Sequence, residues 1–151
     1  MKKIIALILL AFNAYSIDLI IHDPCEKGKY ELISFHMLEP MQMSDLTFNL
    51  FDDHGIPYIS AYNGIRSIQN TPYGEDAIFI QDMQNMKSYG WCYAVDGVQP
   101  NVTIDKFTVI PDTHKLIEWV FGMAEMRDGK WISYCTPVSE INDLDQGICA
   151  L

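Results

Sequence analysis

The chain reads Ser88-Tyr-Gly-Trp-Cys-Tyr-Ala-Val-Asp-Gly-Val98 and, further on, Leu116-Ile-Glu-Trp-Val-Phe-Gly122. In both stretches aromatic residues occupy alternate positions, which is the period of a strand whose side chains point to opposite faces of a sheet. Asp96-Gly97 supplies a turn that ends the first stretch. The two stretches therefore predict neighbouring strands on which Trp91, Tyr93 and Trp119 make cross-strand contacts and contribute to the core.

Two strands and a helix are predicted before these stretches. Residues 17–22 and 30–37 alternate between apolar and polar side chains, and a Pro- and Gly-containing turn separates them. A helix is expected to begin at Ser44 or Asp45, whose side chains can accept hydrogen bonds from the first-turn amides, and to end at Gly55. The apolar face of this helix is formed by Leu46, Leu50 and Phe51.

The remaining segments predict further strands. Residues 57–62 and 65–68 flank Asn63-Gly64, a two-residue hairpin signal. The pattern over residues 77–80 favours a short strand, and the pattern over residues 81–89 supports no assignment. Residues 106–110 favour either a short strand or a connecting segment. Asp128-Gly129 indicates a type I′ turn, from which residues 131–135 return as an antiparallel strand.

The order strand–strand–helix–strands predicts an α+β fold, specifically a β-grasp-like mixed sheet with one helix packed across it, plus a C-terminal hairpin extension. The right-handed crossover rule places the first strand parallel to a later one, for which residues 115–122 are the best candidate.

The amino terminus predicts export. Lys2 and Lys3 precede an apolar run too short to span a bilayer, and small residues at Ala14 and Ser16 suit cleavage after Ser16. We therefore expect a signal peptide at residues 1–16, a main domain at 17–122 and an extension at 123–151, with no membrane span after cleavage. The short basic start indicates a bacterial protein that is periplasmic or secreted. A formal charge of −10 argues against nucleic-acid binding.

The four cysteines, Cys25, Cys92, Cys135 and Cys149, predict structural disulfides. An even number in an exported chain suggests two bridges, with three possible connectivities. None of the spacings is C-x-x-C, which disfavours a thioredoxin-like redox centre or a zinc ribbon.

The chain resembles the transcobalamin-like C-terminal domain family, a bacterial domain that also closes the vitamin B12 carriers of animals. Its Gly-Trp-x-Tyr-x-Val-Asn-Gly strand is matched from Gly90 to Gly97, with Asp96 in place of Asn. Its final Ile-x-Trp-x-Tyr strand is matched by Ile117, Trp119 and Phe121, with Phe121 in place of Tyr. The similarity extends over residues 17–122, and residues 111–115 depart from the Gly-Asp loop of the family.

The resemblance implies a non-catalytic binding module, and its ligand could be a small molecule such as a corrinoid. Tyrosines on or after the second hairpin can approach the Asp96-Gly97 turn, so loops 62–74 and 96–101 are the predicted lip of the site. Aromatic faces that carry a hydroxyl group suit sugars, corrinoid rings or partner proteins. The candidate ligand-binding residues are Tyr58, Tyr62, Tyr73, Trp91 and Asp96.

Two other functions stay open on the sequence alone. A protein–protein interaction module of the cell envelope could use a sheet edge or the 123–136 hairpin. A hydrolase would need a site that no motif reveals, so we expect no enzyme activity and no cofactor. His22 and His36 lie on strands expected to pair and could approach each other, but two histidines alone make a weak zinc site, and no metal is predicted.

Overall fold

A computed structural model describes residues 15–142, 144–145 and 147–149. The predicted signal peptide lies outside these residues, apart from Tyr15 and Ser16. The architecture is α+β, as predicted: one mixed six-stranded sheet, two small two-stranded sheets and one α-helix.

The strands and helices are numbered in the order in which they occur along the chain. The strands are β1 (Tyr15–His22), β2 (Tyr30–Met37), β3 (Met41–Gln42), β4 (Tyr58–Ala61), β5 (Gly64–Ile68), β6 (Ile78–Asp82), β7 (Asn85–Val95), β8 (Thr108–Val109), β9 (Leu116–Arg127) and β10 (Lys130–Pro137). Helix α1 spans Met43–His54, and two short 3-10 helices span Gly74–Ala77 and Val138–Glu140.

The large sheet has the order β2-β1-β9-β7-β6, and β10 pairs with the second half of β9. Asp18 to Ile21 of β1 run parallel to Leu116 to Trp119 of β9, which confirms the predicted parallel neighbour of the first strand. The other neighbours in this sheet are antiparallel. The two small sheets are β3-β8 and the hairpin β4-β5.

The core lies between α1 and one face of the large sheet. Phe51 is fully buried, and Leu46 and Leu50 join it in a cluster with Trp119 and the apolar residues of β1. The helix ends at Gly55 as predicted, where a positive φ of 67° suits glycine. Its start differs from the prediction, because neither Ser44 nor Asp45 is the cap.

The connection that precedes β8 caps the helix instead. The N–H groups of Met43 and Ser44 donate to the carbonyl oxygens of Phe107 and Ile104, at 2.8 and 3.2 Å. These bonds satisfy first-turn amides that no side chain reaches. A cap supplied by residues so distant in the chain leaves no local sequence signal.

The two predicted hairpins form with different turns. Asp128 and Gly129 have φ of 50° and 71°, as the type I′ turn requires. In the other hairpin Ala61 pairs with Gly64, so the turn residues are Tyr62 and Asn63 and the predicted Asn63-Gly64 turn is shifted by one residue. A register shift between Ile59 and Ser60 accompanies this change.

The segment 81–89, which the sequence left unassigned, contains a third hairpin. β6 ends at Asp82, whose carboxylate accepts the N–H groups of Gln84 and Asn85 at 2.8 and 3.0 Å. Such an Asx turn needs only one aspartate and neither glycine nor proline. The glycine and proline residues that usually mark a hairpin turn are therefore missing from this part of the sequence.

Both predicted disulfides are present, as Cys25–Cys149 and Cys92–Cys135. Two disulfides fit a secreted or periplasmic protein. The Cys25–Cys149 disulfide attaches the C-terminal segment to the turn between β1 and β2. In this segment Val138 and Ile148 are fully buried in a second apolar cluster with Tyr89 and Phe121.

A polar contact also holds the C-terminal segment on the sheet. The hydroxyl group of Tyr89 donates to Asp145 Oδ2 at 2.6 Å, and Lys87 Nζ lies 3.2 Å from the same oxygen. Burial, and then the Asp145 carboxylate, raise the pKa of Tyr89 far above its ordinary value.

The predicted boundary between residues 122 and 123 falls inside β9, which is continuous across it.

Candidate binding site

A cleft lies beside the second half of β7. β6 pairs only with Asn85 to Ser88, so from Tyr89 to Val95 the described residues give β7 no strand partner on that side. The β4–β5 hairpin and the loop 97–107 flank the opening and enclose a volume of about 230 Å³. We name it the β7 cleft; the residues around it are Asn63, Gly64, Ile65, Trp91, Cys92, Tyr93, Gln99, Pro100, Val102, Thr103, Ile104, Trp119 and Cys135.

Aromatic rings form the floor of the β7 cleft. Tyr93 and Trp119 are opposite each other on β7 and β9, with ring centroids 5.7 Å apart. The hydroxyl group of Tyr93 donates to the carbonyl oxygen of Val102 at 2.7 Å, which fixes the loop 97–107 over the floor. Trp91 Nε1 donates to Thr71 Oγ1 at 2.7 Å and connects the floor to the loop after β5.

Trp119 carries an unused hydrogen-bond donor. Its side chain is 1% exposed, and its Nε1 is buried with no partner among the described residues. An indole N–H can only donate, and leaving a buried donor without an acceptor costs about 1–3 kcal/mol. Buried tryptophans usually find a partner, so this indole N–H is an exception that needs an explanation.

The Cys92–Cys135 disulfide closes one side of the cleft. Gln99 Nε2 donates to Cys135 Sγ at 3.2 Å and connects the loop 97–107 to this wall. Cys135 belongs to an irregular part of β10, where the register with β9 shifts and its φ is 51°. The backbone there passes directly over Gly122, which has no side chain to obstruct it.

The charges near the cleft are negative. Burial, followed by the negative charge of Asp105, raises the pKa of the Tyr93 phenol, so Tyr93 stays neutral in the physiological range. Asp105 Oδ1 is itself buried without a partner among the described residues. The cleft is therefore lined by neutral aromatic rings, with the buried indole N–H of Trp119 below the surface and the Asp105 carboxylate near Tyr93.

A second cavity continues from the β7 cleft. It has a volume of about 540 Å³ and shares Ile65 and Trp91 with the cleft. Tyr73 and Tyr89 lie on its other sides, and Arg66 is the basic residue at its rim. The two cavities follow the same flank of β7, on either side of Trp91.

Two of the five predicted ligand residues line these cavities, and a third precedes a lining residue in the chain. Trp91 contacts both cavities, and Tyr73, which is 42% exposed, borders the second. Tyr62 is 98% exposed at the hairpin tip, next to Asn63 at the rim of the cleft. Of the two predicted lip loops, Asn63 to Ile65 and Gln99 to Pro100 are among the residues around the β7 cleft.

Tyr58 and Asp96 have other contacts. Tyr58 stacks on Phe48 of α1 with ring centroids 5.2 Å apart, and burial together with the nearby Asp52 carboxylate raises the pKa of Tyr58. Asp96 Oδ1 accepts the N–H groups of Lys115 and Leu116, each at 2.9 Å, and so anchors the start of β9. These contacts explain both residues without a ligand.

Sequence reasoning missed the contributions of Trp119, Tyr93 and Gln99 to the cleft. The alternation pattern assigned Trp119 and Tyr93 to the core, where their rings do lie. The sequence carries no signal that one indole N–H would remain without an acceptor. Gln99 directly follows Asp96-Gly97-Val98, so only its place in the predicted lip pointed to it.

Another cavity, of about 310 Å³, lies at the far end of β6, β7 and β9. Its charged side chains already form pairs, because Lys87 contacts Asp145 and Arg127 contacts Glu125 at 2.6 Å. Such mutually neutralised charges leave little electrostatic attraction for a ligand.

The predicted approach of His22 and His36 is wrong. β1 and β2 are antiparallel, and His22 is opposite Tyr30 whereas His36 is opposite Ser16, so the two histidines lie at opposite ends of the pair. His22 Nε2 instead lies 3.1 Å from Glu118 Oε1. Among the described residues there is no cluster of three or more His, Cys, Asp or Glu side chains that could hold a metal.

The described part of the chain also contains no helix with the length and apolar character needed to cross a membrane.

Comparison with known proteins identifies no family. No family model matches the chain, and no curated protein matches it. A crystal structure of a protein from Ruminococcus gnavus, proposed to bind metal, is similar over 71% of this chain and 95% of that protein. The identity is 14% and the TM-score is 0.44, too low to carry an inference about fold details or function.

Proposed function

We propose that this protein is an exported, non-catalytic binding module that holds a small ligand in the β7 cleft. The parallel pairing of β1 with β9, and α1 packed on the same sheet, support a β-grasp fold. They are also what the resemblance to the transcobalamin-like C-terminal domain family leads us to expect. The β-grasp assignment and the family are part of this proposal.

The observation that carries the proposal is the buried indole N–H of Trp119 without an acceptor, beside a cleft with an aromatic floor. A cleft of this kind binds flat groups through the ring faces of Trp91 and Tyr93, and one convergent polar group fixes their orientation. The ligand we expect is flat, largely apolar, and carries a hydrogen-bond acceptor.

The size of the cleft restricts the ligand. Clefts that enclose a drug-sized ligand have volumes of roughly 300–1,000 Å³, whereas the β7 cleft has about 230 Å³. A single sugar or aromatic ring fits inside. A corrinoid, the ligand class that the resemblance suggests, is larger and would enter only by one edge, with the rest of the macrocycle across the mouth near Tyr62.

The proposal is tested by titrating the mature, oxidised protein with cyanocobalamin, N-acetylglucosamine and benzamide, and by following tryptophan fluorescence with correction for absorption by the ligand. The ligand that binds is then titrated calorimetrically against Trp119→Phe, which keeps an aromatic ring and removes the N–H. We expect affinity to fall by about tenfold, the loss of one buried hydrogen bond.

Trp131→Phe is the matched control, because Trp131 is 42% exposed on β10 and is not among the residues around the cleft. It should leave the affinity unchanged. Equal affinities for wild type and Trp119→Phe would remove the proposed role of the indole N–H. A flat titration with all three probes would count against a small-molecule site here and favour the second candidate.

The second candidate is a protein-interaction module of the cell envelope, and exposed apolar side chains on β10 favour it. Trp131, Ile132 and Tyr134 are 42%, 51% and 66% exposed, and the rings of Trp131 and Tyr134 are 6.0 Å apart. A contiguous exposed aromatic patch of this kind is typical of protein interaction sites. Replacing Trp131 and Tyr134 with Ser would abolish partner binding and leave ligand binding in the cleft intact.

A further inference from the structure

β2 is an outer strand of the large sheet with a regular edge, and no strand among the described residues pairs with that edge. All eight of its residues pair with β1 in a continuous antiparallel register, without a bulge. The other outer strands differ, since β6 has five residues and β10 shifts register twice. Short or bulged edges are ways in which proteins avoid pairing with other chains, and β2 has neither.

The direction of the free backbone groups follows from the hydrogen bonds of β1. The N–H of Asp18 donates to the carbonyl oxygen of Lys115, so the backbone of Asp18 faces β9. Successive residues alternate between the two sides, so Leu19 faces β2, where it is opposite Ile33. The N–H and C=O groups of Leu32, Ser34 and His36 therefore point outward from the sheet. Within the described residues none of these groups has a hydrogen-bond partner.

Two of the four exposed side chains of β2 are largely apolar, and none of the four is an acidic or lysine side chain of the kind that a solvated strand usually carries. Tyr30 and Leu32 are 55% and 50% exposed, and Leu38, directly after the strand, is 74% exposed. Glu31 is the one acidic residue of the strand. Lysine and proline, which usually protect an edge, are absent from Tyr30–Met37.

We propose that β2 pairs with β2 of a second copy of this chain, antiparallel, across a two-fold axis at Ser34. In this register Leu32 is opposite His36 of the second copy, and Ser34 is opposite its own counterpart, so the outward backbone groups bond to each other. Tyr30 lies opposite Leu38 of the second copy, which covers both exposed apolar side chains.

The same register avoids a charge conflict. Glu31 lies opposite Met37 of the second copy, so no two carboxylates face each other across the pair. A strand that matches its own sequence in this way is self-complementary, as a two-fold interface requires. The outcome is a sheet continuous through both copies.

Net charge opposes this pairing. Each chain has a formal charge of −10, and two such chains repel each other at low ionic strength. Salt screens this long-range repulsion and leaves backbone hydrogen bonds largely unaffected. Association should therefore strengthen as the salt concentration rises, which is opposite to the behaviour of a dimer held by ion pairs.

The test is sedimentation equilibrium of the mature, oxidised protein at low and high salt, together with Ser34→Lys. Two lysines directly opposite each other at the axis should weaken the dimer by about tenfold or more. Ser60→Lys is the matched control, because Ser60 is exposed on β4, away from this edge, and it should leave the dissociation constant unchanged. His36→Pro, which removes an outward N–H, should also prevent association with an unchanged circular dichroism spectrum.

Amide hydrogen exchange identifies the interface directly. The amides of Leu32, Ser34 and His36 should exchange rapidly in dilute protein and slowly in concentrated protein, whereas that of Ile33 is protected in both. A protein that stays monomeric at every concentration and salt level overturns the proposal. So does a dimer in which these three amides remain unprotected, or one that Ser34→Lys and Ser60→Lys weaken equally.

Discussion

At the residue scale, the backbone of Cys135 lies close against Gly122. A Cβ atom placed there would lie 2.8 Å from Cys135 Cα and 3.0 Å from its carbonyl carbon, and both are backbone atoms that cannot rotate away. We predict that Gly122→Ala destabilises the protein by about 2 kcal/mol or more, as other overpacked sites do. Urea unfolding followed by fluorescence measures the change.

Gly90 offers a matched control for this substitution. It is opposite Gly122 on the neighbouring strand, yet a Cβ atom there meets nothing within 4 Å. Gly90→Ala should therefore change the free energy of unfolding by less than about 0.5 kcal/mol. Equal losses for the two variants would mean that the strand pair disfavours any side chain at these positions, and that contact with Cys135 is not the cause.

Individual residues also show where sequence reasoning fails. The spacing of Trp91, Tyr93 and Trp119 correctly placed three rings on neighbouring strands, because alternation depends only on strand geometry. The role of Asp96 was not visible, because its carboxylate accepts amides of residues 115 and 116, far along the chain. The sequence does not distinguish a turn aspartate whose carboxylate binds a ligand from one whose carboxylate accepts backbone N–H groups far along the chain.

At the element scale, the main strands, the helix and its C-terminal end followed from periodicity and glycine placement. The parallel neighbour of β1 followed from the handedness of crossovers. The helix cap, the β6–β7 turn and the bulge of β10 did not, because each depends on a contact that local sequence does not encode. The candidate cleft was located only as a lip, since its floor is made of residues whose pattern indicates core.

The disulfide that holds the β10 bulge should stabilise the fold and shape the cleft. Cys92 and Cys135 are 43 residues apart, and the chain-entropy model assigns a loop of this length about 4 kcal/mol. Replacing both with Ser should cost up to about that amount in urea unfolding. Because the bridge forms a wall of the β7 cleft, ligand affinity should fall as well.

The Cys25–Cys149 bridge is the control for the second effect. It joins residues 124 apart, and neither of its cysteines is among the residues around the cleft. Its removal should lower stability and leave the affinity of the remaining folded protein unchanged. If both double substitutions weaken binding to the same extent, the loss reflects general loosening of the protein, and the Cys92–Cys135 wall has no specific role.

At the scale of the whole molecule, the C-terminal segment is integrated into the sheet. β9 continues from Leu116 to Arg127 across the boundary that the sequence suggested, and β10 pairs with its second half. Val138 and Ile148 of the following segment are buried with Phe121 and Tyr89. The resemblance ends at residue 122, whereas β9 runs through that position to Arg127. From this continuity we expect residues 17–122 and 123–151 to unfold as one cooperative unit.

This continuity predicts the behaviour of a truncated chain. A fragment of residues 17–122 loses Val138 and Ile148, which are 1% and 0% exposed, and burial of each such side chain contributes roughly 1.5–3 kcal/mol. It also loses Cys135 and Cys149, and with them both disulfides, as well as β10, one of the antiparallel partners of β9. We expect the fragment to bind 8-anilinonaphthalene-1-sulfonate strongly and to lack a cooperative thermal transition, whereas residues 17–151 melt cooperatively and do not bind the dye. A fragment that melts cooperatively and does not bind the dye would establish residues 17–122 as an independent domain. Residues 123–151 would then be an extension that the fold does not need.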